Sequence, residues 1–305
     1  LNTPFDPAAE NIHFTIAQGQ HLSDISTQLE QRSIIANSTY FNYYARFKNA
    51  DKKLQAGDYI ISAADTPKQI LNTFLSGRVA LSRMTVPEGW DIRQISELLT
   101  DFVSCSQNEF IALCRDPVYV KSFGIPSDSL EGYLFPDTYF FPGSASCQTV
   151  ISTMVNHFHT VFTPDMDAQA DALGFTRHEI VILASIIEKE TGDPDERPLI
   201  ASVFHNRLKK KMRLESDPTV IYGIPDFDGN IKRIHLRTPT PYNTYQINGL
   251  PAGPIANPGR HAILAALYPA QSDYLFFVSK KDSTHHFSRT YPEHHQAVRK
   301  YQLGK

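Results

Sequence analysis

The chain has 305 residues, enough for two or three units with cores of their own. Its net charge of −3 gives no electrostatic case for nucleic acid or an anionic membrane surface as a partner. Twenty prolines and abundant aromatics against fifteen glycines point to rigid connections, and three cysteines without metal-ligand spacing allow at most one internal bridge and otherwise suit small buried apolar positions.

The sequence starts at Leu1 with polar residues following at once, and no apolar run approaches the roughly 18 residues of a membrane span. Residues 1–11 read as a linker, so the sequence is expected to be a piece of a longer chain. Phe14-Thr15-Ile16 then predicts a short strand, Gly19 a turn, and residues 21–34 an amphipathic helix with Leu22, Ile25 and Leu29 on one face. The same grammar returns 70 positions on: Thr85-Val86, Gly89, Ile92, Ile95, Ser96 and Leu99 match Thr15-Ile16, Gly19, Leu22, Ile25, Ser26 and Leu29. Each copy continues with a helix around Phe41 or Phe110, and then with a strand in which a glycine closely follows a leucine, at Leu54 to Tyr59 (L-x-x-G) or Leu130 to Tyr133 (L-x-G). A further helix follows, from Pro67 to Leu75 or from Cys147 to Phe158. Two copies are too few for a solenoid, where about three are needed, so paired small α+β modules are expected.

From about Asp165 the pattern changes to helices separated by long polar loops. Thr176 followed by Glu179 is a capping box and starts a helix reaching Thr191. At about 100° per residue from Ile180, the apolar side chains of this helix average near roughly 330°. Glu190 then falls at about 280°, between Leu183 and Ile186, while Glu188 falls at about 80° and Lys189 at about 180°. A carboxylate turned toward a core costs several kcal/mol unless it is paired or protonated, so the pKa of Glu190 should rise, as a general acid at neutral pH requires. The wheel alone equally allows a partly exposed glutamate or a buried ion pair.

Asp193, Pro194 and Glu196 predict the cap, first position and capping box of the next helix, which runs through Ile200, Val203, Phe204 and Leu208 to the basic Lys209-Lys210-Lys211. Between Arg213 and Pro258 two runs fixed by proline and glycine offer Asp217, Thr219, Tyr242, Asn243, Tyr245 and Asn257 as candidate binding residues on rigid polar loops. A turn-forming role before proline is the alternative for Asp217 and Asn257. A helix over residues 261–267 and a buried strand over 274–278 complete the pattern. His285-His286 and His294-His295 lack a matching Cys or acidic ligand pattern and read as surface residues, so neither a metal nor a cofactor is expected.

The runs A-S-I-I-E-K-E-T, S-V-F-H-N-R-L, L-E-S-D-P-T-V-I-Y, P-Y-N-T-Y, G-L-P-A-G-P-I-A-N-P-G and Y-L-F-F-V, in this order, resemble the YceG-like endolytic murein transglycosylases, as do V-P-E-G-W from Val86 and L-E-G-Y-L-F-P-D-T-Y from Leu130. The match covers almost the whole chain after residue 12. The resemblance implies an α+β architecture in which residues 12–80 form a LysM-like module and residues 81–163 a second related α+β unit packing on the catalytic region. Residues 164–305 would form that mostly helical catalytic region with long polar loops. It implies a bacterial inner-membrane protein with a single amino-terminal span before this sequence and its body in the periplasm. Its partners would be peptidoglycan glycan strands and enzymes of cell-wall synthesis.

The resemblance also implies cleavage of the MurNAc-GlcNAc β-1,4 bond within nascent strands, leaving 1,6-anhydro-MurNAc ends, with the catalytic glutamate at Glu190. Such lytic cleavage needs one carboxyl group, because the MurNAc 6-hydroxyl serves as nucleophile. Two other readings stay open. One is a two-carboxylate glycan hydrolase with Asp217 or Glu188 as partner at about 5–9.5 Å. The other is a non-catalytic peptidoglycan-binding scaffold in which Glu190 is a core ion pair.

Overall fold

The computed structural model describes residues 1–77, 79–225 and 227–304 and has the expected α+β class. The first copy of the repeat runs β1 (Asn11–Ile16), α1 (Leu22–Gln31), α2 (Ser38–Phe47), β2 (Gly57–Ser62) and α3 (Pro67–Ser76). The second runs β3 (Ser82–Thr85), α4 (Ile92–Leu99), α5 (Gln107–Cys114), an extra short α6 (Pro117–Ser122), β4 (Thr138–Phe141) and α7 (Cys147–Val161). Gly19 and Gly89, at matching places between strand and helix, have φ of 79° and 75°, a left-handed conformation that favours glycine. The repetition is therefore one of backbone as well as of letters.

Two compact units divide the chain. The first comprises Leu1–Met84, Leu99–Cys105 and Thr138–Ser146. In it β1 and β2 pair antiparallel with Phe14 opposite Tyr59, and β3 pairs with β4. Alternation along β1 turns Phe14 and Ile16 inward, where they join Ile25, Leu29, Phe41, Tyr59 and Phe74 in one core. The outward Thr15 donates its hydroxyl to Asp58 Oδ1 at 2.6 Å, and the other Asp58 oxygen accepts from the Ser144 amide.

The second unit comprises Thr85–Leu98, Ser106–Asp137 and Cys147–Lys305. After α7 it contains α8 (Pro164–Leu173), α9 (Arg177–Glu190), α10 (Arg197–Lys209), α11 (Asp217–Tyr222), α12 (Arg233–Arg237), α13 (Arg260–Leu267), the antiparallel pair β5 (Phe276–Ser279) and β6 (His285–Ser288), and α14 (Tyr291–Tyr301). The capping box of Thr176 and Glu179 starts α9 as expected. This helix packs against α8, α10, α11 and α13 and is buried from Ile180 through Ile187. No helix among the described residues is long and apolar enough to cross a membrane.

Four local expectations are corrected. Leu130 to Tyr133 is a turn, and the second copy's strand comes later, at Thr138. Gly132 sits there at φ 86°, where a Cβ would lie 2.6 Å from the Pro254 side chain, and Glu131 is held by three hydrogen bonds that no ladder supplies. Asp193 accepts from the Asp195 amide within a turn, and the helix begins only at Arg197, because the Glu196 carboxylate turns to His285 instead of closing a box. The run from Leu214 is not only loop, since Asp217-Pro218 opens α11. The expected strand over 274–278 starts at Phe276 and is half-buried, not buried. The cysteines divide as well: Cys114 is a free buried thiol, whereas Cys105 and Cys147 are disulfide-bonded.

Candidate active site

α9 ends at Glu190, where Thr191 turns the chain into extended backbone. The periodicity favours Glu190 alone as the inward carboxylate, but the helix is enclosed on nearly all sides and Glu188 turns inward too. Glu188 is fully engaged. Arg197 Nη2 donates to its Oε1 at 2.8 Å, and the Gly259 amide donates to its Oε2 at 2.9 Å. Burial raises the Glu188 pKa, while that amide and Arg197 oppose the rise.

Glu190 has a different setting. The residue keeps partial exposure, yet its carboxyl lies among enough protein atoms that desolvation pushes its pKa to about 7. The Ser216 hydroxyl, donating to Oε1 at 2.5 Å, works against this rise; the negative charge of Asp217 adds to it, and Arg207 opposes it. Apart from Ser216, no hydrogen bond or ion pair among the described residues engages this carboxyl. It is a solvent-reachable acid poised between its two protonation states near neutrality.

The loop before α11 places Ser216. Glu215 adopts φ 51°, an uncommon conformation for a residue with a side chain, and its amide donates to the Thr244 carbonyl at 3.2 Å. The Ser216 amide donates to Thr244 Oγ1 at 3.0 Å, and the Thr219 hydroxyl donates to the Ser216 carbonyl at 2.7 Å. Arg207, on α10, underpins the same loop by donating to the carbonyls of Arg213 and Leu214 and to Glu215 Oε2. Ser216, Thr244 and Arg207 were not singled out from sequence. Ser216 adjoins Asp217 in L-E-S-D-P, and Arg207 stands in S-V-F-H-N-R-L, but nothing in periodicity ranks either one.

The sequence candidates separate into three sets. Asp217 is exposed beside Ser216 and accepts from the Tyr245 hydroxyl at 2.8 Å, so these two belong to the Glu190 neighbourhood. Thr219, Asn243 and Asn257 are fully enclosed, with their polar groups taken up by the protein itself. Asn243 Nδ2 donates to the carbonyls of His235, Leu236 and Thr238, and its Oδ1 accepts from the Tyr245 amide at 3.0 Å. Asn257 donates to the Trp90 carbonyl and to Glu131 and accepts from the Leu134 amide. Tyr242 lies elsewhere, edge-on to Tyr222 with ring centroids 4.8 Å apart. His285, half of the first histidine pair, bonds Glu196 through Nδ1 at 2.7 Å.

The sequence profile of the YceG-like family matches residues 14–300. An endolytic murein transglycosylase of Bacillus subtilis (strain 168) is 33% identical over 313 residues, an alignment covering 96% of this chain and 86% of that protein. A protein of the same name from Streptococcus pneumoniae serotype 2 is 29% identical across 87% of this chain but only 53% of its own length. Among solved structures, a YceG-like protein from Listeria monocytogenes superposes with a TM-score of 0.65 at 34% identity, over 95% of this chain and 100% of that one. The chain belongs to the YceG-like family.

Proposed function

We propose that this protein is an endolytic murein transglycosylase that cuts peptidoglycan strands by lytic chemistry, with Glu190 as the single acid and base. The observation that carries the reading is the state of Glu190: a reachable carboxyl at about 7, touched only by a hydroxyl donor, beside a second carboxylate. The names of the relatives supply the substrate class.

Protonated Glu190 gives its proton to the glycosidic oxygen as the C1–O bond breaks. The resulting carboxylate then takes the proton of the MurNAc 6-hydroxyl as that oxygen bonds to C1, closing a 1,6-anhydro ring and restoring the acid. No water is consumed. Positive charge builds on the sugar between the two steps, and we assign its stabilisation to the exposed Asp217 carboxylate, which accepts from the Tyr245 hydroxyl. We assign Asp217 and Tyr245 to direct contact with the strand, and Thr219, Asn243 and Asn257 to shaping the loops that carry them. Because this substrate class lies outside the cytoplasm, we place the working site on the periplasmic face of the inner membrane. We assign positioning of long strands to the LysM-like region 12–80.

Glu188 does not compete for the role of acid, since Arg197 and the Gly259 amide hold both of its oxygens. A mass spectrum of digested murein tests the chemistry. Anhydro ends, lighter by one water than reducing ends, are expected; reducing ends would make the enzyme a hydrolase.

A further inference from the structure

Glu190 lies at the amino-terminal end of α11, through Ser216. At the carboxyl-terminal end of that helix, roughly 9 Å along by its rise per residue, a cavity of about 860 Å³ opens. Its lining includes Arg93, Arg115, Asp128, Glu131, Tyr222 and Tyr242, and neither Glu190 nor Ser216 is part of it.

The floor is a built polar centre. Glu131, 3% exposed, accepts from the Ile92 amide at 3.3 Å and the Tyr222 hydroxyl at 3.0 Å through Oε2, and from Asn257 Nδ2 at 3.1 Å through Oε1. The walls differ in chemistry. Tyr222 and Tyr242 meet edge to face and give an apolar side. Arg93 and Arg115 are exposed, and neither has a carboxylate within ion-pair distance among the described residues. Asp128 is likewise exposed and outside those ion pairs.

Sugar hydroxyls are neutral and need no guanidinium pair. Two guanidinium groups outside any ion pair at one cavity match carboxylates, which they can hold with paired hydrogen bonds, and the Asp128 carboxylate in the same lining suits an ammonium group. In peptidoglycan that combination of charges sits on the peptide branch of the muramyl sugar. Resting on the function proposed above, we propose that this cavity is a subsite for the peptide branch. Arg93 and Arg115 hold its carboxylates, Asp128 its ammonium, and the Tyr222–Tyr242 pair its aliphatic portion. A branch seated there fixes one muramyl unit relative to α11, and hence to the bond presented to Glu190.

Calorimetric titration of the whole protein with the purified peptide branch, released from murein by an amidase, tests this without relying on turnover. Binding is expected, weakened at least tenfold in the Arg93→Ala/Arg115→Ala double variant and less in the double lysine variant, which keeps the charge but not the fork. Both changes lie on exposed side chains, so melting should hold. In parallel, the alanine variant should raise KM for peptide-bearing strands at least tenfold more than for amidase-stripped strands. An absence of binding to the unaltered protein, undiminished binding by the alanine variant, or an equal KM change on both strand types overturns the proposal. Failure of the proposed function reads differently: murein would stay uncut while the peptide still binds.

Discussion

Glu190 and Glu188 lie two residues apart on one helix, both inward and both pushed up by burial, and what separates them is their partners. Glu188 meets a guanidinium and an amide, while Glu190 meets one hydroxyl. A general acid must start protonated, so with the carboxyl at about 7 the value of kcat/KM should be level below that pH and fall about tenfold per unit above it. A rise in activity through pH 7 to 9 would assign the reaction to a base. The Ser216 hydroxyl favours the charged form of Glu190, so Ser216→Ala should move this alkaline limb to higher pH and lower the plateau roughly ten- to a hundredfold, the worth of one hydrogen bond to a charged group. A limb that stays in place would mean that Ser216 does not govern the proton.

At the scale of elements, α11 and the loops beside it carry the proposed site, and their shape depends on buried amides. Asn243→Ala would strand three backbone carbonyls and the Tyr245 amide, so thermal melting should report a loss of about 2–4 kcal/mol. Activity at permissive temperature should fall with the Tyr245–Asp217 contact. An unchanged melting temperature would mean that the Asn243 hydrogen bonds do not hold this loop. Much of this level was readable in the chain. Thr176 and Glu179 gave the start of α9, and apolar spacing gave α1, α4 and α13, because caps and periodicity are local signals. What was not readable is long-range. Glu188 points inward because Arg197 and Gly259 wait for it, Glu196 abandons its expected cap for His285, and Leu130 to Tyr133 turns because Glu131 is bound by residues up to 126 positions away. No helical wheel contains such partners. Ser216 and Arg207 were missed for the same reason: their roles exist only where α9, α10 and α11 meet.

For the molecule as a whole, the proposed division of labour places chemistry after residue 164 and strand positioning in residues 12–80. A chain beginning at Leu81 retains Glu190, Ser216, Thr244 and Arg207 but loses Thr15 and Asp58, and with them the carboxylate that holds the Ser144 amide. It should melt at a lower temperature, cut short strands, and lose efficiency on long ones, because binding energy from remote parts of a substrate aids the reacting centre. Equal turnover of long and short strands by the shortened and full chains would refute that division. The central claim is that one carboxyl, Glu190, passes the proton in both steps, and its most direct test is murein digestion by Glu190→Gln beside Glu188→Gln, with products read by mass spectrometry and folding by thermal melting. The Glu190→Gln protein should melt normally and release no anhydro ends, since an amide keeps the shape but gives no proton. A Glu188→Gln protein should still release them but melt earlier, with Arg197 left only the more distant, more exposed Glu88 carboxylate. Anhydro ends produced by Glu190→Gln at an undiminished rate, or lost only in Glu188→Gln, would contradict that claim.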